Sequence, residues 1–203
     1  MPAPLYDRLA DRLAETRSGA GFGPTPGATA EPEPTALAAI ALDDDDARDW
    51  LVADQREDGG FGLVAGPVRN DAPTSIAALA LPPGDARERA LDSLIESRAR
   101  SAPSYEVAPH DPNTRGWGWT RDTFGWVEPT ARAVLALRVH RREASAEIED
   151  GLALLADREC RDGGWNFGNS VVYDVALPPY AQTTAIGLIG IQGALPEQAS
   201  RGN

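Results

Sequence analysis

The sequence predicts an all-α protein of about four helical hairpin repeats, and three observations predict it. A glycine-aromatic cluster recurs four times, as SGAGFG at 18–23, DGGFG at 58–62, RGWGW at 115–119 and DGGWNFG at 162–168. A segment with one apolar side precedes each cluster. A run of small apolar residues follows each, and self-similarity at this period is the signature of stacked repeats.

The units read as 5–42, 43–81, 85–137 and 146–192, within one domain over 1–203. Their first helices are YDRLADRLAETR, DARDWLVADQRE, DARERALDSLIESRAR and EIEDGLALLADRE. Each gathers its apolar residues on one side, as an outer helix packed on a core does. The following runs are PTALAAIAL, PTSIAALAL, PTARAVLAL and QTTAIGLIGI. Proline suits the first helical turn, where its missing N–H costs nothing. Apolar character nearly all round predicts a buried inner helix, and the small side chains suit close helix packing. Two insertions break the period: the Pro-rich ESRARSAPSYEVAPHDPNTRG in the third unit and NSVVYDVALPPYA at 169–181 in the fourth. Both fall between outer and inner helix and so share one rim, and insertions on one face often mark the functional face of a repeat array.

The pattern of outer helix, Q-x-x-D-G-G-F-G, P-T and inner helix resembles the prenyltransferase and squalene-cyclase repeat family. WLVADQREDGGFG, with Gln55 and Phe61, is similar to the QW motif; LLADRECRDGGWNFG is a second match, with Arg158 where the glutamine is expected. The resemblance covers almost the whole chain. It implies an α/α toroid whose inner helices line a central cavity, and a structural role for Gln55, Phe61 and Trp165. A complete toroid of this kind needs more hairpins than four, and repeat units cannot bury their flanks alone. A homodimer that completes the partial ring is therefore the expectation, with a protein partner or a fragment of a longer protein as the alternatives. GALPEQASRGN reads as a polar tail after the last inner helix.

Squalene cyclases protonate their substrate from the middle acid of D-x-D-D-T at an inner-helix entrance. The run Asp43 to Asp46 follows an inner helix instead, and reads as a cap and dipole partner for the next outer helix. The positional match is EPEPT at 31–35, with Glu31 and Glu33 on the first and third positions and Pro34 replacing the last acid. VEPT puts Glu128 at the place of Glu33, and NDAPT puts Asp71 one step earlier. Glu128, Glu33 and Asp71 are the candidate catalytic acids. The same residues are also what a helix N-terminus favours for its own stability.

Three of the five tryptophans crowd into GWGWTRDTFGW. Trp126 and Phe124 approach the third inner helix, where aromatic faces line an apolar pocket or stabilise a cation, or simply close the rim. With Trp119, Tyr105, Tyr173, Tyr180 and His110 they form the candidate substrate-binding set. The ligand expected is an apolar small molecule of the isoprenoid class, cyclised or transferred; the alternative is a non-catalytic module holding a lipid, peptide or protein partner. Zinc-dependent protein prenyltransferases use Asp, Cys and His, but here Cys160, His140 and His110 fall at different places in the repeat. No metal and no cofactor are expected.

The formal net charge of −12 argues against nucleic-acid backbones as partners. All basic side chains apart from two histidines are arginines, which with the many Ala, Gly and Pro residues points to a GC-rich bacterial coding bias. The single cysteine excludes an intrachain disulfide. No signal-peptide pattern opens the sequence and no run approaches the ~18 apolar residues of a membrane span. The expectation is a cytoplasmic protein, compatible with peripheral lipid contact.

Overall fold

The computed structural model describes residues 4–63, 72–140 and 146–192. The chain divides into two compact units, Met1–Glu96 and Ser97–Asn203. Helices are the main regular structure of both. No helix among the described residues is long and apolar enough to cross a membrane.

In the first unit, α1 (Leu5–Ala14) leads through a two-stranded hairpin, β1 (Arg17–Ser18) and β2 (Gly21–Phe22), to α2 (Pro32–Leu42). Then come α3 (Asp45–Asp54), α4 (Pro73–Ala80) and α5 (Asp85–Glu96). The inner helices α2 and α4 pack on each other, α3 packs on α2, and α5 on α4. Helix α4 is buried nearly all round, as its composition requires. Helix α2 buries Thr35, Ala36, Ala38 and Ala39 but leaves Leu37 and Ile40 48% and 49% exposed. Helix α1 buries no residue, and its tie to α2 is the Tyr6 hydroxyl donating to the Ala41 carbonyl at 2.8 Å.

The acidic run shapes the α2–α3 corner. Asp43 ends α2 in the left-handed conformation, φ 54°, and Asp44 caps α3 by accepting from the Ala47 N–H at 2.9 Å. Arg48 pairs with Asp43 at 2.6 Å and Asp45 at 2.7 Å, and these bonds hold its guanidinium above its usual range. At the far end of α3, burial pushes the Asp54 carboxyl up.

The second unit holds α6 (Val127–Val139), α7 (Ala146–Asp157) and α8 (Ala181–Ile191). Helix α6 packs on both α7 and α8. Val127, Ala131, Leu155, Trp165 and Ile191 form its core. Burying side chains of this size contributes roughly 1.5–3 kcal/mol each for the larger ones. The fourth-unit insertion forms a hairpin, β3 (Val171–Val172) with β4 (Val175–Ala176). These short strands were not expected from an all-α reading.

One hydrogen-bonded device recurs four times. Thr35 Oγ1 accepts from the Phe22 N–H at 2.9 Å and donates to the Phe22 carbonyl at 3.1 Å. Thr74 does the same with Phe61 (2.9 and 3.5 Å), Thr130 with Trp117 (2.9 and 3.2 Å) and Thr184 with Trp165 (2.9 and 3.2 Å). A hydroxyl is both donor and acceptor, so one threonine satisfies both main-chain groups of the buried aromatic. This is the physical content of the P-T signature: the threonine clamps the glycine-aromatic turn to the inner helix. In the fourth unit, the repeat pattern read Thr183 in QTT as the P-T threonine; the clamp is Thr184, one residue on, and Thr183 is buried beside it.

The turn also corrects the register of the QW-like segment. The Arg56 N–H bonds the Gly60 carbonyl at 3.1 Å, and the Cys160 N–H bonds the Gly164 carbonyl at 2.8 Å. Glu159, not Arg158, therefore stands where Gln55 stands. In the third unit the Ala99 N–H bonds the Gly116 carbonyl at 2.9 Å, which puts Arg98 at that place, and the one-residue-shorter first hairpin puts Arg17 there. These side chains reach the next outer helix. Arg17 pairs with Asp44, Gln55 donates to the Ala86 carbonyl at 2.8 Å and meets Arg89, and Arg98 pairs with Asp150 at 2.5 Å.

Candidate functional site

Of the candidate aromatics, four residues converge. Tyr105, His110, Phe124 and Trp126 line one pocket of about 190 Å³ in the second unit, with Arg158 and Asn169. They come from three places in the chain. Trp126 caps α6 at its N-terminus, and its N–H bonds the Trp117 carbonyl at 2.9 Å. Phe124 is bridged to Arg100. Tyr105 and His110 belong to the Pro-rich insertion, which closes on itself through the Ala108 N–H to Tyr105 carbonyl bond at 3.0 Å. The two insertions meet where the Tyr173 N–H bonds the Val107 carbonyl at 2.6 Å.

Arg158 supplies the charge. Its guanidinium is buried, donates to Asp157 at 2.8 Å and to the Gly168 carbonyl at 2.9 Å, and lines the pocket. Asn166 shapes the same turn, accepting from the N–H groups of Gly168 and Asn169 at 2.9 and 3.2 Å. Gly168 lies against Trp126, where a Cβ would come within 3.2 Å of the indole. Sequence reasoning treated Arg158 only as a substituted QW glutamine and passed over Asn169. The signal was available: a buried arginine so close to a glycine turn needs acceptors from that turn.

The other aromatics lie apart from this pocket. Trp119 stays half-buried in the loop after Trp117. Tyr180 caps α8 and packs on Phe167, ring centroids 5.3 Å apart at 52°. Tyr173 is exposed at the tip of the β3–β4 hairpin with φ 51°. His110 turns its ring nitrogens toward the Ala108 and Ala102 carbonyls, at 3.0 and 3.2 Å, tying its own loop.

The acids separate. Glu128 is 8% exposed in the first turn of α6 and pairs with Arg132 at 2.6 Å, so it gives its oxygen to the helix surface and not to the pocket lining. Glu33 lines a second concavity, of about 420 Å³, at the N-terminal end of α2. Glu31 lines it as well, with an apolar remainder that includes Leu13, Pro34, Leu37 and Leu63. Asp71 lies outside the described residues. Among the described residues no cluster of three or more His, Cys, Asp or Glu side chains gathers in the manner of a metal site. Comparison of the sequence with protein-family models and with curated proteins found no match.

Proposed function

We propose that the chain is a squalene-cyclase/prenyltransferase-like repeat protein, an α/α toroid that is partial or completed by a further chain, and that it holds an apolar ligand of the isoprenoid class where its inner helices begin. The observation supporting this is the convergence of Tyr105, His110, Phe124 and Trp126 on one pocket beside the buried Arg158. Aromatic faces suit an unsaturated hydrocarbon, and a guanidinium suits an oxygen-bearing head group. At about 190 Å³ the pocket is below the ~300–1,000 Å³ typical of sites enclosing a drug-sized ligand. It suits a short prenyl chain, or the end of a longer one, and binding is the function it supports best. Titration with geranyl diphosphate and with geraniol, read by tryptophan fluorescence, tests this. Saturable quenching that is lost in Trp126→Ala is the expected result; equal quenching in that variant would remove the pocket from the proposal.

A catalytic reading is favoured by a separate observation. Glu31 and Glu33 line the apolar concavity at the start of α2, in the positions matching the first and third members of the cyclase acid motif. A proton donor to an alkene needs an acid in a dry, apolar setting. Product analysis by mass spectrometry after incubation with a linear prenyl substrate decides this. A cyclised product that vanishes in Glu33→Gln is the catalytic outcome. Binding with unchanged substrate leaves the protein a binding module.

A further inference from the structure

We infer that α1 of a second copy docks into a groove between α7 and α8, so that copies join head to tail. The groove holds about 620 Å³ and is walled by Leu152, Leu155 and Glu159 on the α7 side and by Trp165, Thr184 and Leu188 on the α8 side. It includes Gly164, the glycine before the clamped aromatic.

In the other repeats this place is filled by the next outer helix. A Cβ on Gly21 would come within 3.0 Å of Trp50 on α3; on Gly60, within 3.0 Å of Ser93 on α5; on Gly116, within 2.9 Å of Leu154 on α7. Each outer helix lies on the preceding inner helix, as α3 on α2, α5 on α4 and α7 on α6. Helix α8 has no such cover among the described residues, and its Leu188 is 54% exposed.

Among the described residues, α1 is the outer helix with no inner helix before it. Counting back from the residue that reaches the next outer helix, the eighth and fourth positions are buried in the other three: Ala47 and Leu51, Ala90 and Leu94, Gly151 and Leu155. Counted back from Arg17, these positions in α1 are Leu9 and Leu13. Leu13 is half-buried, lining the concavity beside α2, whereas Leu9 is 59% exposed. Apolar side chains at matched helical positions on an uncovered face mark an interaction surface.

Charge selects the partner. The ninth position back is Arg89 in α5, which meets Gln55, and Asp150 in α7, which meets Arg98; in α3 it is Asp46, and there Arg17 meets Asp44, the residue capping the helix. In the last unit the corresponding residue is Glu159, exposed and, among the described residues, the only charged one lining the groove. The ninth position of α1 is Arg8. A carboxylate waits where α1 of another copy would bring a guanidinium. Because the two contacting surfaces differ, the contact is heterologous and propagates to a closed ring or a chain of copies. The groove would accept α1 whether or not the aromatic pocket binds an isoprenoid.

The test uses Leu9→Asp and Leu188→Arg, both at exposed positions where the fold tolerates charge, with helicity checked by circular dichroism. Sedimentation across a concentration series should show the wild type self-associating, with each variant alone weaker by about tenfold or more. A one-to-one mixture of the two variants should form a two-copy species, since the first keeps its groove and the second keeps α1. Arg8→Glu should weaken association, and Arg8→Glu combined with Glu159→Arg should recover it. A wild type that stays monomeric throughout would overturn the proposal, as would association indifferent to both leucine variants. Failure of the mixture to pair while the wild type associates would replace it with a symmetric contact.

Discussion

Glu33 and Glu128 occupy one repeat position, two residues before the clamping threonine of their inner helix, and they live differently. Four residues on, one turn along the helix, α6 carries Arg132 and α2 carries Leu37. Glu128 is therefore buried in an ion pair, while Glu33 lines an apolar concavity beside Glu31. The lesson is that the repeat sets where a carboxylate stands, and the residue one turn on helps set what surrounds it. Reading acids by their place in the repeat made Glu128 the leading catalytic candidate; in the structure the side chain one turn away holds its carboxylate in an ion pair.

The largest expected effect comes from removing that neighbour. Arg132→Leu leaves Glu128 buried without its cation, and breaking buried pairs from one side costs about 3–5 kcal/mol. Glu128 keeps slight exposure, so about 3 kcal/mol is expected, read as a lowered urea midpoint. Glu128→Gln combined with Arg132→Leu should recover most of it. If the single variant were as stable as the wild type, the contrast between the two glutamates would be one of exposure alone.

The clamps offer a second contrast. Thr130 is fully buried, whereas Thr184 is partly open to the groove beside α8. Thr130→Val keeps the shape but strands the Trp117 N–H, while the Trp117 carbonyl keeps the Trp126 N–H, at about 2 kcal/mol. Thr184→Val should cost about 1 kcal/mol or less, because water can reach the Trp165 backbone. Equal losses in the two variants would mean that the Thr184 clamp is as dry as the Thr130 clamp, as it would become if another helix covered the groove. Measuring Thr184→Val below and above the association range separates these cases.

How much of this was legible in the sequence follows from where the information lies. The helices were, because small apolar runs opened by Pro-Thr have one sensible fate, and the observed inner helices fall within a few residues of the runs. The clamp register in the last unit was not, since QTT offers two threonines and the longer turn removes the thirteen-residue spacing that Thr35, Thr74 and Thr130 share with their aromatics. Arg158 and Glu159 were exchanged for a similar reason: the backbone bond between Cys160 and Gly164 fixes the register, and no side-chain pattern reveals it. Tyr105 and His110 were candidates, but their convergence on the pocket was not legible, because an irregular insertion places them and its path depends on contacts such as that of Val107 with Tyr173. Rim position alone could not distinguish them from Trp119 or Tyr180.

The smallest effect is the most direct probe of the comparison. Leu37→Arg gives α2 the glutamate-arginine spacing that α6 has, with Glu33 as the acid. The Leu37 side chain is about half exposed, so the replacement removes little buried surface. An exposed i,i+4 pair contributes only about 0.3–0.5 kcal/mol, with the acid N-terminal to the base in the better orientation. Stability should hence change by less than about 1 kcal/mol, and any gain should fade in high salt. The concavity is where the change should register. A guanidinium reaching Glu33 would fill part of its apolar wall and engage the acid, so any cyclised product that depends on Glu33 should be lost, while binding in the Trp126 pocket stays as it was. Product formation that survives Leu37→Arg would show that Glu33 works from its place in the repeat alone, and that the neighbour one turn away does not decide its role.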